Sequence, residues 1–190
     1  MQAGKRVAVT GALAATLLAA APAAVAGDRD ASVGVTREKG HAVACQAEQD
    51  GIQVSLELYE NSAFGTHIGL SLEADGQEYG GGGPVEHGLF DQGVISGQVA
   101  YNRLEETAGE EQVARIQGSY EVSGPRVRVR EVYQEPWGEV VSKGWRTPLA
   151  AEVSLNVLGR QVQLTCGEAF AFDLRVKRIG SAARVDGRAG

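Results

Sequence analysis

Cysteine is scarce in this 190-residue sequence, which contains only Cys45 and Cys166. Two thiols alone cannot supply the four ligands that a structural zinc site usually has. In an exported protein, a pair of cysteines most often forms a disulfide. We therefore predict a bond between Cys45 and Cys166, which would close a loop of roughly 120 residues and stabilise the fold by about 4–5 kcal/mol.

Long apolar runs are missing after residue 26, so the sequence predicts no membrane-spanning segment in the mature protein. Before that point, Lys5 and Arg6 precede an uncharged stretch, residues 7–26, that ends in the small-x-small pattern AVA. These are the parts of a cleavable signal peptide. A membrane anchor is the alternative, because the stretch is nearly long enough to span, but Pro22 and the cleavage pattern favour removal.

Lysine and positive charge are also in short supply. The chain has 18 basic residues, of which four are lysines, against 24 acidic residues. Loss of Lys5 and Arg6 with the signal leaves 16 basic residues and a net charge of −8. Nucleic-acid backbones require a positive field, so the net acidity argues against nucleic acid as the main partner and we expect none. The alanine-rich, lysine-poor composition is typical of a GC-rich bacterial genome, and we expect a secreted, extracellular bacterial protein.

The mature sequence shows no helical stripe in any stretch of ten or more residues. Apolar and polar residues alternate instead in "IQVSLELY" (52–59), "HIGLSLEA" (67–74) and "ARIQGSYEV" (114–122). A period of two indicates half-buried antiparallel strands. Further strands are predicted around Val94–Asn102, Val140–Trp145 and Phe170–Val176. The sequence predicts an all-β fold, an antiparallel β-sandwich of about 8–10 strands, with a closed antiparallel β-barrel as the alternative.

Composition also sets the predicted domain boundaries. Residues 1–26 are the signal peptide, and residues 27–40 are a flexible N-terminal segment. Residues 41–179 form a single all-β domain, and residues 180–190 form a flexible C-terminal tail. Both end segments are rich in polar or small residues, which is typical of loosely held chain ends.

The stretch "AEVSLNVLGRQVQLTC" (151–166) predicts a β-hairpin. A type II′ turn with Gly159 and Arg160 at its centre pairs apolar with apolar residues on both sides. The predicted opposites are Val157 with Val162, Leu155 with Leu164, and Val153 with Cys166. This register turns Cys166 inward, and Cys45 shares a face with Val43, so the disulfide is expected inside the core.

Four consecutive glycines, Gly80–Gly83, interrupt the alternating pattern. They lack the Lys-Ser/Thr of a phosphate-binding loop, since Pro84 and Val85 follow. We expect a mobile connection between strands. A lid over a ligand cavity is the alternative, and it would suit a barrel-type carrier of a small apolar ligand.

Motifs for catalysis and metal binding are absent. His41, His67 and His87 lack any tight ligand spacing, and Ser96 in "GVISG" is one place too late for a nucleophile elbow. We therefore assign no catalytic residue, no metal site and no cofactor. A hydrolase that uses scattered carboxylates stays an alternative, because two acidic side chains can meet across a cleft.

The strongest binding signal is the run from Arg126 to Trp145. Arg126, Arg128 and Arg130 alternate along one strand face, where they would attract an anionic polymer or surface. The aromatic residues Tyr133, Trp137 and Trp145 follow, and exposed aromatics stack on sugars or anchor partners. The alternatives are cross-strand pairing of the arginines with glutamates and burial of the tryptophans.

Together these features favour a non-enzymatic binding or envelope-associated protein over an enzyme. The partners that fit are a polysaccharide, an envelope protein or a small apolar ligand.

Overall fold

The computed structural model describes residues 34–104, 111–136 and 138–180. The predicted signal peptide, the start of the N-terminal segment, Trp137 and residues 181–190 lie outside these ranges. The described chain contains ten antiparallel strands and no helix, which confirms the all-β prediction. The strands are β1 Gly34–Gln49, β2 Ile52–Asn61, β3 Gly65–Ala74, β4 Gln77–Val85, β5 Phe90–Asp91, β6 Val94–Arg103, β7 Gln112–Val122, β8 Val127–Glu135, β9 Gly138–Val157 and β10 Arg160–Gly180.

All ten strands belong to one antiparallel sheet. The order β10-β1-β2-β3-β4-β6-β7-β9 returns to its start, because β9 also pairs with β10. β5 adds to β6, and β8 adds to the first half of β9. The sequence left a sandwich and a closed barrel open, and the structure shows one sheet whose pairings run round a ring of strands.

The core fills the ring with the apolar side chains that the alternation predicts to point inward. Leu56, Ile68, Ile116 and Leu155 are each at most 1% exposed. Burial of such a side chain contributes about 1.5–3 kcal/mol. The polar residues between them remain at the outer surface, so the period of two is satisfied on both sides of the sheet.

The disulfide is confirmed. Cys45 on β1 lies directly opposite Cys166 on β10, and their sulfurs are bonded across 121 residues of sequence. The bond joins the first and last strands beside the core, where Cys45 is buried.

The C-terminal hairpin forms, but its predicted register is wrong by two residues. Val162 lies opposite Leu155, and Leu164 lies opposite Val153. Leu158 and Gly159 occupy the turn with φ values of 51° and 71°, the combination of a type I′ turn. An even shift keeps each side chain on its own face, so the apolar pattern alone does not separate the two registers.

The expectation of a mobile glycine connection is also wrong, because Gly80–Gly83 lie in β4 and pair with β3. A Cβ on Gly81 would overlap the carbonyl oxygen of Ala100 and the side chain of Tyr101. Gly82 has a φ of 151° and its added Cβ would lie 2.6 Å from the carbonyl oxygen of Ile68. The glycines therefore let three strands approach closely around the core.

Three strands are longer than the ring requires. β1, β9 and β10 continue past it, and β8 pairs along the outer part of β9. We call this four-stranded part the extension; it comprises residues 34–41, 127–135, 138–147 and 171–180. Residues 34–40 were expected to be flexible, yet they pair with β10 from Gly34 opposite Arg178 to Gly40 opposite Phe172.

A buried polar network holds the start of β1 in the extension. Glu38 is 4% exposed, and its carboxylate accepts hydrogen bonds from Thr36 (2.7 Å), Arg178 (2.8 Å) and the amide of Asn61 (2.9 Å). Burial acts to raise the pKa of Glu38, but these three donors outweigh it and leave the pKa below its ordinary value. The folded structure therefore stabilises the ionised form of the Glu38 carboxylate.

Candidate anion-binding site

One side of the extension continues the side that forms the core inside the ring. Along β1, the side chains of Val43 and Cys45 pack in the core, and those of Arg37 and Lys39 lie on the same side farther out. Side chains alternate along a strand, so these four residues point to the same side of β1. On that side the residues change from apolar to basic where β1 leaves the ring. The same change occurs along β9, between Val153 and Lys143.

The register of the extension places four cations in one line across four strands. Arg130 on β8 lies opposite Lys143 on β9, Lys143 lies opposite Arg175 on β10, and Arg175 lies opposite Arg37 on β1. All four side chains are exposed. Neighbouring strands are about 4.8 Å apart, so the line spans roughly 15 Å. We call these four residues the basic row.

Further cations flank the basic row. Arg128 and Lys39 lie two residues away along their strands on one flank, and Lys177 lies on the other. These seven residues form what we call the basic face: Arg37, Lys39, Arg128, Arg130, Lys143, Arg175 and Lys177. An open surface depression runs along it and is lined by residues of β1, β9 and β10.

Like charges directly opposite one another destabilise a sheet. Among the described residues, no carboxylate lies within 4.0 Å of Arg128, Arg130, Lys143, Arg175 or Lys177. Two carboxylates share the face: Asp173, which pairs with Arg37, and Glu139, which accepts a hydrogen bond from Gln134. The glutamate pairing considered from the sequence is therefore not found at Arg128 or Arg130.

Four of the six predicted binding residues come together. Arg128 lies opposite Trp145, Arg130 belongs to the basic row, and the Arg126 guanidinium is 4.9 Å from the centroid of the Trp145 ring. Trp145 is 41% exposed, so it is a surface residue with a cation over its ring and is not part of the core.

Tyr133 does not join this group. It lies opposite Val140 on the other side of β8, where its hydroxyl donates a hydrogen bond to Glu131. Arg146 donates to the same carboxylate at 2.7 Å. Partial burial and the bond to Glu131 raise the pKa of Tyr133 to about 12. Trp137, the sixth residue, lies outside the described ranges.

Sequence reasoning missed the cations from the other three strands. Arg175 and Lys177 alternate with buried or partly buried residues in "DLRVKR", and Arg37 and Lys39 do the same in "TREK". That alternation was the available signal. The pairing of β10 with both β1 and β9 brings these residues beside Arg130, and no local pattern predicts that neighbourhood.

The histidines do not form a metal centre. No group of three potential metal ligands exists in the part of the chain that the structure describes. His41 lies at the boundary between the core and the basic face, stacked on Phe90 with ring centroids 4.8 Å apart. Its Nδ1 is 3.9 Å from a carboxylate oxygen of Glu60, too far for a hydrogen bond. Burial lowers the pKa of His41 despite that carboxylate, so the neutral ring is favoured.

No protein family model, no curated protein and no solved structure matches this chain. Within the described ranges, no helix is long and apolar enough to cross a membrane. The chemistry that the assembled residues offer is the binding of anions, through guanidinium and ammonium donors that have few protein partners.

Proposed function

We propose that this protein is a binding domain that attaches to an anionic partner through the basic face. The observation that carries the proposal is the basic row, in which Arg130, Lys143, Arg175 and Arg37 lie side by side. Arg37 is paired with Asp173, but among the described residues no carboxylate lies within 4.0 Å of the other three cations, so their alignment is electrostatically unfavourable until a bound anion compensates it. The whole chain has a net charge of −6, so the cations of the basic row are concentrated in one place on an otherwise acidic protein.

We further propose that the protein works outside the cytoplasm as an envelope-associated bacterial protein. The signal-like first 26 residues support export, and the Cys45–Cys166 disulfide is compatible with an oxidising compartment. Neither feature depends on the basic face, so location and binding are separate parts of the proposal.

The two alternatives have less support. A carrier needs an apolar cavity beneath the glycines of β4, but Leu70, Leu72 and Tyr101 pack in the core there. A hydrolase needs two carboxylates across a cleft. Glu48, Asp50 and Glu73 border an open depression at the other end of the ring. Water solvates these carboxylates there, so their charge does not require a catalytic role to explain it.

Binding to immobilised dextran sulfate over a range of salt concentrations tests the proposal. We expect binding that weakens with salt, and a loss of at least about tenfold in the double variant Arg130→Glu/Lys143→Glu. The matched control is Arg115→Glu/Arg160→Glu, which makes the same charge change at exposed positions near the opposite end of the ring. The proposal fails if the protein does not bind, or if both variants lose affinity equally.

A further inference from the structure

Resting on the proposed function, we infer that the anionic partner is a lipid bilayer surface with anionic headgroups. A soluble polyanion and a bilayer both offer negative charge, so the cations alone do not distinguish them. The residues beside the basic row do, because a bilayer interface also accepts apolar side chains.

A row of three valines and one lysine lies next to the basic row. Two residues farther along each strand, the register aligns Val132, Val141, Lys177 and Val35 across the same four strands. Val132 and Val35 are each 50% exposed. Exposed valines beside a line of cations gain nothing from a hydrated polymer, but they gain apolar contact at the headgroup–acyl boundary of a bilayer.

Trp145 occupies the opposite flank of the basic row, between Arg128 on β8 and Asp173 on β10. Tryptophan is favoured at the headgroup level of membranes, where its ring is half in apolar surroundings and its N–H reaches polar groups. The order across the face is therefore valines, cations and tryptophan, all on one open side of the extension.

The charge distribution favours one orientation. Glu48, Asp50 and Glu73 surround a depression at the turns that end β1 and β3, at the end of the ring away from the extension. A negative surface attracts the basic face and repels this acidic end. The protein would then lie with the extension on the membrane and the ring directed away from it.

Co-sedimentation with lipid vesicles tests this inference. We expect binding to vesicles of phosphatidylglycerol mixed with phosphatidylcholine, and little binding to phosphatidylcholine alone. In the variant Val35→Ser/Val132→Ser, vesicle affinity should fall roughly fivefold or more, because the apolar contact is lost while the charge is kept. Its binding to dextran sulfate should be unchanged.

The matched control is Val94→Ser/Val113→Ser, which changes two valines of similar exposure, 54% and 55%, on β6 and β7 outside the extension. It should bind vesicles like the parent protein, and equal thermal midpoints verify that all variants are folded. In a Trp137→Phe background, emission from Trp145 should shift to shorter wavelength when anionic vesicles are added.

The outcomes separate the two proposals. Binding to dextran sulfate without binding to anionic vesicles overturns the lipid inference and leaves an anionic polymer as the partner of the basic face. Vesicle binding that is insensitive to Val35→Ser/Val132→Ser, with no shift in Trp145 emission, also overturns it. Failure to bind either probe overturns the proposed function itself.

Discussion

Arg37 donates two hydrogen bonds, both of 3.0 Å, to the carboxylate of Asp173. Arg126 and Lys39 approach the same carboxylate, with N–O distances of 3.6 and 4.0 Å. The bond from Arg37, with the charges of the other cations, holds the pKa of Asp173 below its ordinary value. The basic face therefore contains an internal anion that a bound anion must compete with.

Asp173→Asn should raise the affinity for dextran sulfate about threefold to tenfold, because three cations lose their protein counter-charge. Its binding should also fall more steeply with salt. The control Glu73→Gln makes the same charge change at an exposed position on β3, away from the face, and should have little effect. Unchanged affinity in Asp173→Asn would mean that the ligand does not use Arg37, Lys39 or Arg126.

Glu38 should make the protein sensitive to acid. Its folded pKa lies below the ordinary value of 4.5, so the native state binds the proton less readily than the unfolded state does. The resulting stability is fully present above about pH 4.5 and is lost as the pH falls through the lower folded pKa. Urea unfolding from pH 7 to pH 3 measures the decline.

The variant Glu38→Gln keeps the shape of the side chain and removes the charge. We expect it to lower the free energy of unfolding at pH 7 by about 2 kcal/mol, since the ion pair with Arg178 is lost and the guanidinium can bond only a neutral amide. When both proteins are measured at the same salt concentration, the stability of the variant should also fall less between pH 5 and 3 than that of the parent. A parallel decline in both proteins would assign the acid sensitivity to other carboxylates.

Although β4 and residues 34–40 of β1 were predicted as loose segments, the alternation of residues was sufficient to predict most other strands and their inward faces, and the cysteine pair predicted the disulfide. These features depend on neighbours along one strand, or on a pair of cysteines with no other partner. The basic face could be predicted only in part, at Arg128 and Arg130, together with the adjoining Arg126 and Trp145. Its remaining cations depend on the order of β8, β9, β10 and β1, which is decided by ring closure between distant segments.

Two of the errors in local structure, the hairpin register and the glycine connection, have physical causes of the same kind. Turns centred on Leu158-Gly159 and on Gly159-Arg160 both keep apolar residues inward, so the face pattern fits either register. The glycines of β4 allow a close approach of strands that are not adjacent in sequence. Because that approach is not visible in the composition, a run of glycines is interpreted from sequence as a flexible connection.

His41 should add a second pH dependence at milder acidity. Its folded pKa is lowered from 6.5 by burial, so the unfolded state takes up the proton first and stability decreases as the pH falls below about 6.5. His41→Phe should flatten the stability curve below about pH 6.5, because the stacked position beside Phe90 accepts an aromatic ring. His67→Phe, at an exposed position on β3, is the control and should leave the slope unchanged. Thermal unfolding across this range checks both.

Gly81 provides a test of the close approach between β4 and β6. In Gly81→Ala the new Cβ would overlap the Ala100 carbonyl oxygen and the side chain of Tyr101, and backbone atoms of a paired strand cannot move away cheaply. We expect the free energy of unfolding to fall by about 3 kcal/mol or more. Gly167→Ala is the matched control, because an added Cβ there meets no atom within 4 Å. Urea unfolding of both variants measures the difference. Similar, small decreases in the free energy of unfolding would show that β4 and β6 are not packed as tightly as the glycines imply.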